Sequence, residues 1–499
     1  MVNPGHRSRG CFACRRQKVK CDEAHPTCRR CSTRGRVCKW PDVSSKFFSM
    51  NDWAHRKVES EARDAGVEGA CGQATQEGVL DAAVLWSPDA PLYQITLAPA
   101  TDWKSASIAP FFDRFVVQPD VLGTTWGYMS GLPGIFESGP VYLKHAVEAA
   151  AAAHLANVGG LQALGRIAAR SYGKSLDLIR KGLGETGSLD PCSVLMAVTT
   201  LVLYESISGI GPPKDMFKAH AHGQASLMQL CLMRNKAVQA SPTSQDIVGT
   251  VNRTLLSRDL EHAGGPPLGT YHWSDTTYRS WLDEAATRVT ALAARACAHW
   301  RGLHDEDCGL TERWHRVRRC WNALESTHQL IETYYDSAPP QWRWQVGESN
   351  VAAAYPPRLD VYPTPVTAHL WNAIRYAHLH VLQKMLQTQD LIRTLQKPPH
   401  SRGELIDLTT QARSDLHDRF TDILGDMASS AHVVMEGTCL WMDPGCIPLM
   451  NQQFLLWQLQ KVYNHIDLPG HVRDWVTEVC RRIGRGGSIR QGFLVDSAK

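Results

Sequence analysis

The chain is short of net charge, of long apolar runs and of catalytic signatures. Among 499 residues, 53 are Lys or Arg and 49 are Asp or Glu, which leaves +4 with histidine neutral. That balance does not by itself mark a nucleic-acid or membrane partner. The strongest apolar run, 192–204, is 13 residues long. It is too short to span a bilayer and reads as a central buried helix, so no membrane partner is expected. The first ten residues hold no apolar stretch that could serve as a secretory signal, so disulfide chemistry is not expected. There is no G-x-S-x-G, no P-loop and no G-x-G-x-x-G between a strand and a helix. Without a nucleophile elbow or a phosphate cradle the chain is read as non-catalytic. Alternating strand patterns are hardly seen.

What is present is concentrated at the N-terminus. Six cysteines, Cys11, Cys14, Cys21, Cys28, Cys31 and Cys38, follow the spacing C-x2-C-x6-C-x6-C-x2-C-x6-C. The second triplet repeats the first at a constant offset of 17 residues. Paired C-x2-C spacing in a chain without a signal segment points to zinc, which accepts thiolates tetrahedrally. Three disulfides, or one four-cysteine site with spare thiols, are the alternatives. Six ligands are two short of two separate tetrahedral sites. If two cysteines bridge, each of two Zn²⁺ ions has four ligands. The pseudo-symmetry makes Cys11 and Cys28, the first member of each triplet, the natural bridge pair.

Charge follows the same partition. Residues 1–42 contain eleven Lys or Arg and three Asp or Glu, a net of +8, whereas residues 43–499 carry −4. Two Zn²⁺ and six thiolates would leave about +6 on the module, an electrostatic footprint for phosphate. The two halves are not equivalent. Lys18, at the end of a short helix expected over 12–19, aligns with Gly35. The first half can therefore read bases while the second braces the fold. A lysine donates to guanine O6 and N7, and the carbonyls at a helix end accept from cytosine N4, so a G·C-rich half-site is expected. Arg15, Arg16 and Lys20 are read as phosphate contacts that set orientation. Arg29, Arg30, Arg34 and Arg36 are weaker candidates for that role. With Phe12, Val19, Val37 and Trp40 as its few apolar residues, the module depends on zinc to fold.

Cys11-Phe-Ala-Cys14-Arg-Arg-Gln-Lys18-Val-Lys-Cys21, with Pro26-Thr-Cys28-Arg-Arg-Cys31 and Cys38, resembles the fungal Zn2Cys6 binuclear-cluster DNA-binding domain. The resemblance covers about the first 45 residues. It implies two short helices and loops around two Zn²⁺, fungal origin, and a CGG triplet as the target, with Lys18 as its base reader. It also implies a nuclear, sequence-specific regulator of RNA polymerase II transcription. Double-stranded DNA and the transcription machinery or co-regulators are then its partners.

Residues 43–95 lack three consecutive heptads and are read as a flexible tether, which leaves homodimerisation open. Residues 96–499 read as a large all-α domain, in one lobe or two. Helices are expected near 142–158, 161–183, 214–231, 277–300, 311–336, 366–396, 407–435, 449–464 and 470–485. Another opens at Asp190-Pro191, an N-cap followed by proline at the first helical position. Phe111-Phe112-Asp113, residues 145–156, Ser171-Tyr172-Gly173-Lys174, residues 220–227 and Leu370-Trp371-Asn372 are similar to the fungal-specific transcription factor regulatory domain. That similarity implies a helical module that restrains activation, senses a signal or recruits partners, with a small-molecule effector left open. An activator is the expected sign, and the layout also resembles regulators of specialised-metabolite gene clusters. A repressor, a zinc-stabilised protein-interaction module and an enzyme carrying a zinc tag are the rival readings.

Histidines 220 and 222, and 378 and 380, lie two apart and cannot chelate one metal from a helix. His299 and His304, near Asp305, Glu306 and Cys308, lack a metal-site pattern. Gly484-Arg-Gly-Gly487 is read as a helix end and loop. The nine remaining cysteines are expected to be reduced and mostly buried.

Overall fold

The computed structural model describes residues 14, 21–22, 28–34, 102–116, 127–184, 189–209, 216–233, 241–261, 280–301, 303, 309–347, 355–395, 410–436, 449–487 and 489–490. The chain divides into two units, Met1–Cys71 and Gly72–Lys499. The expected tether over 43–95 lies outside the described residues. In the first unit one short helix, α1 (Arg29–Thr33), is described in full.

The second unit is all-α among its described residues. Its helices are α2 (Trp103–Phe115), α3 (Leu132–Ser138), α4 (Val141–Gly159), α5 (Gln162–Gly184), α6 (Pro191–Ser208) and α7 (Met216–Met233). They continue with α8 (Pro242–Glu261), α9 (Trp281–Arg301), α10 (Leu310–Asp336), α11 (Pro365–Thr394), α12 (Thr410–Glu436), α13 (Leu449–His465) and α14 (Gly470–Gly487). Extended pairing among the described residues is a single antiparallel bridge, Gln345 to Val361. No second lobe separates from Gly72–Lys499.

Two helices organise the core. Helix α6 begins where the sequence predicts: Asp190 is the N-cap, its Oδ2 accepting from the Ser193 amide at 2.8 Å, and Pro191 follows at the first turn. Fifteen of its 18 residues are buried. It extends four residues beyond the apolar run, which makes it long enough to cross a bilayer by length and composition alone. Its burial against α4, α7 and α8 identifies it as a core helix. Gly209 ends it in the left-handed region at φ 66°. A Cβ there would also lie 2.8 Å from Cβ of Arg490, so the position suits glycine twice over.

Helix α11 is the second organiser, with 21 of 30 residues buried against α9, α10, α12 and α13. Thr364 caps it, and the buried Trp371 donates its indole N–H to the Trp342 carbonyl at 2.7 Å. Helix α8 packs on α6 and α7 and also on α9 and α11, which joins the two groups into one core.

Three helices lie outside the sequence expectation: α2, α3 and α8. Helix α2 carries Pro110 in its interior and α8 is polar, burying Asp246, Asn252 and Asp259 among its apolar side chains. The 470–485 helix runs on through Gly487, so the Gly484-Arg-Gly-Gly487 segment is helical and not a loop.

Candidate metal centre

Local geometry builds the centre from Cys28 outward. Cys28 is extended at φ −66° and ψ 147° and serves as the N-cap of α1. Its Sγ accepts from the Cys31 amide at 3.4 Å, so the C-x2-C spacing wraps both cysteines around one helical turn. The Ser32 amide reaches the Cys28 carbonyl at 3.0 Å and closes that turn. Asp22 stabilises the same helix start, its Oδ2 accepting from the Arg29 amide at 3.0 Å. Sequence reading passed over Asp22; its place directly after Cys21 was the available signal.

Cys14 approaches from the other half of the motif, with Sγ 3.9 Å from Sγ of Cys28. A disulfide would require about 2.05 Å. Four sulfurs at about 2.3 Å from zinc form a tetrahedron with edges of about 3.8 Å. Cys14, Cys28 and Cys31 are each no more than 3% exposed and form no disulfide. Their sulfurs lie within 4.8 Å of one another. Cys21, Asp22 and Cys28 form a second group within the same limit. Cys28 belongs to both groups.

The sulfurs of Cys14, Cys28 and Cys31 suit zinc: they are soft ligands shielded from water, and the 3.9 Å between Cys14 and Cys28 is close to the edge of a thiolate tetrahedron. Zinc held there would supply folding free energy and cross-link the two triplets. Four of the six cysteines expected as ligands, Cys14, Cys21, Cys28 and Cys31, converge here. Cys11 and Cys38 lie outside the described residues, as do Arg15, Arg16, Lys18, Lys20 and Pro26. Arg29, Arg30 and Arg34 are exposed around α1 and open to an anionic partner.

Another close group occurs in the helical unit. Nδ1 of His328 on α10 lies 2.8 Å from Nε2 of His378 on α11, and Glu332 Oε1 lies 3.9 and 3.8 Å from those nitrogens. The three could hold a metal by proximity. However, Arg419 binds both oxygens of Glu332, at 2.7 and 2.9 Å. Burial pushes the pKa of both histidines down, and 2.8 Å suits one N–H···N bond between neutral rings. The group therefore reads as a structural hydrogen bond. The sequence takes His378 as a structural or surface histidine and gives no sign of its partner, which is 50 residues away.

The i, i+2 histidines do point apart. His220 is buried against Glu205 while His222 is exposed, and His380 faces Tyr376 while His378 faces His328. Of the nine cysteines outside the module, Cys192, Cys231, Cys297, Cys320 and Cys480 are buried and form no disulfide. Residues 304–308 are outside the description.

Residues 9–46 match the fungal Zn(2)-Cys(6) binuclear cluster domain. Three proteins are similar to a short part of the chain. Transcription factor lfc1 of Flammulina velutipes is 58% identical over 36 residues, 7% of this chain and 13% of that protein. An uncharacterized transcriptional regulatory protein of Schizosaccharomyces pombe is 42% identical over 44 residues, 9% of this chain and 8% of its own length. The Geodin cluster transcription factor of Aspergillus terreus is 51% identical over 41 residues, 8% of this chain and 18% of that protein. The similarity thus spans less than a fifth of each relative and less than a tenth of this chain. No solved structure matches the chain.

Proposed function

We propose that this chain is a fungal, zinc-dependent, sequence-specific DNA-binding regulator of transcription by RNA polymerase II, acting in the nucleus. The single observation that carries the reading is the six-cysteine module. Its residues 9–46 match the binuclear cluster domain, and Cys28 sits at the intersection of two ligand groups. Cys11, Cys14, Cys21, Cys28, Cys31 and Cys38 hold two Zn²⁺, with Cys11 and Cys28 shared. Lys18 reads guanine in a CGG half-site, and Arg15, Arg16 and Lys20 fix the module on phosphates. The charge of residues 1–42 supports this, because +8 against −4 for the remainder puts the attraction for DNA on the module.

Residues 96–499 act as a non-catalytic regulatory domain that transmits a signal or recruits co-regulators. Activation is the proposed sign. Control of a specialised-metabolite gene cluster draws support from the similarity to the Geodin cluster transcription factor. Homodimerisation is part of the proposal to be read from half-site spacing.

The test is selection from a randomised DNA library by the zinc-loaded full chain, at two salt concentrations, beside Lys18→Ala. Enrichment of CGG sites, a steep salt dependence and loss of the triplet preference in Lys18→Ala are expected. No enrichment at full zinc loading would overturn the DNA reading and favour a protein-interaction module.

A further inference from the structure

A cavity of about 160 Å³ lies inside the helical unit, walled by α6, α7, α8, α9, α11 and α13 and by the turn at Gly127–Gly131. We infer that it is a binding site for a small uncharged aromatic molecule carrying one carbonyl or hydroxyl group. This inference rests on the helical unit alone and not on the DNA-binding reading.

Size sets the first limit. A cavity of about 150 Å³ accommodates benzene, so this one suits a single substituted ring. Tyr376, Phe454 and Trp457 supply aromatic walls, and Leu370 and Val202 add aliphatic surface. A packing void would be apolar throughout. Here Thr199, Gln224, Gln245 and Lys461 also face the space.

Charge sets the second limit. The charged lining consists of Arg253, Lys461, Asp246 and Asp283, two of each sign. Arg253 is bound to Asp283, and Lys461 lies 3.5 Å from Glu261. An anionic ligand would have to displace one of these carboxylates, which favours a neutral one. Lys461 also donates to Ser257 Oγ at 2.8 Å. Those two partners use two of its three N–H groups, and the third can donate to a ligand oxygen. His369, which also lines the cavity, stays neutral: desolvation and then the charge of Arg253 hold its pKa down at about 3.

A glycine keeps the space open. Gly249 lies in the interior of α8 and lines the cavity, in an ordinary helical conformation that any residue adopts. A Cβ built there would meet only the Arg253 guanidinium, at 3.7 Å. Neither backbone nor packing demands glycine, which is unfavourable inside a helix. Leaving the cavity unfilled is what the residue accomplishes.

The experiment is calorimetric titration of the zinc-loaded full chain with acetophenone, benzyl alcohol, benzoate and cyclohexane. Saturable one-to-one binding of the two neutral arenes is expected, about tenfold or more tighter than benzoate. Gly249→Leu should keep the helical circular dichroism and lose that binding. Should Gly249→Leu fail to fold, Ala373→Leu, from the facing wall, serves the same purpose. Absence of saturable binding by either arene would mean a water-filled cavity and would overturn the inference. Tighter binding of benzoate, or unchanged affinity in the folded cavity-filling variant, would overturn it as well. DNA selection is read separately, so failure of that reading leaves this result standing.

Discussion

The imidazole Nε2 of His220 lies 2.8 Å from Oε1 of Glu205, with both side chains almost wholly removed from solvent. Tyr172 donates to the same carboxylate oxygen at 2.7 Å, so one acid on α6 ties α5 to α7. Burial alone would push the His220 pKa down, but the charge and hydrogen bond of Glu205 outweigh it and leave the pKa raised. Replacing one partner strands the other's charge in the core. His220→Leu is therefore expected to cost about 3–5 kcal/mol, and Glu205→Gln less because it retains an acceptor. Urea unfolding followed by tryptophan fluorescence checks both; equal and small effects would show that the pair contributes little.

The zinc centre makes a prediction that depends on which thiol is removed. Cys28 belongs to both ligand groups, whereas Cys14 and Cys31 belong to one. Native mass spectrometry of the full chain should find two zinc ions. Cys28→Ser should reduce the content below that of Cys14→Ser or Cys31→Ser, and a strong chelator should unfold the module while the helical unit keeps its circular dichroism. Equal losses from all three variants would argue against a shared thiolate.

Acid should destabilise the helical unit. Burial holds the pKa of His154, His369 and His380 at about 3 each. In the unfolded chain these rings take up protons below about pH 6.5. Folding stability is therefore unaffected by them above that pH. It falls as pH drops from about 6.5 towards 3, by up to about 1.4 kcal/mol per unit for each ring. His220 acts oppositely: its raised pKa contributes stability below about pH 6.5 that is lost as pH rises through the folded value. Three rings outweigh one, so the urea midpoint should be lower at pH 5.5 than at pH 7.5. His380→Phe should flatten the difference; an unchanged slope would show that His380 is not held neutral.

Arg375 is fully buried, with its guanidinium carbon 4.6 Å from the Trp344 ring centroid and 5.6 Å from that of Tyr362. Nη1 donates to Asn372 Oδ1 at 3.0 Å, and Asp426 lies 3.9 Å from Nε. A planar cation can stack on a ring and donate in its plane together; an ammonium cannot. Arg375→Lys should therefore cost about 1–3 kcal/mol despite its unchanged charge. A denaturation midpoint equal to that of the unaltered chain would refute this.

The legible part of the fold was the part with a strong local signature. Asp190-Pro191 announced α6 because a capping carboxylate and a proline act within one turn. Apolar residues at helical spacing over 142–158, among them Leu143, Val147 and Ala150, announced α4 for the same local reason. Helix α8 went unseen because Asp246, Asn252 and Asp259 look like solvent-facing residues until neighbouring helices enclose them. The His328–His378 contact was invisible for a related reason, since 50 residues separate its members.

The cysteine spacing, the basic bias of residues 1–42 and the lack of catalytic signatures determined the chemistry proposed for the N-terminal module. Metal ligation there is short-range: C-x2-C brings two sulfurs onto one turn without help from the rest of the chain. The cavity beside Gly249, the paired charges at its wall and the buried Glu205–His220 contact were decided only by tertiary structure. Each brings together side chains from helices distant in sequence, and the cost of burying their polar groups is met only where those helices supply partners.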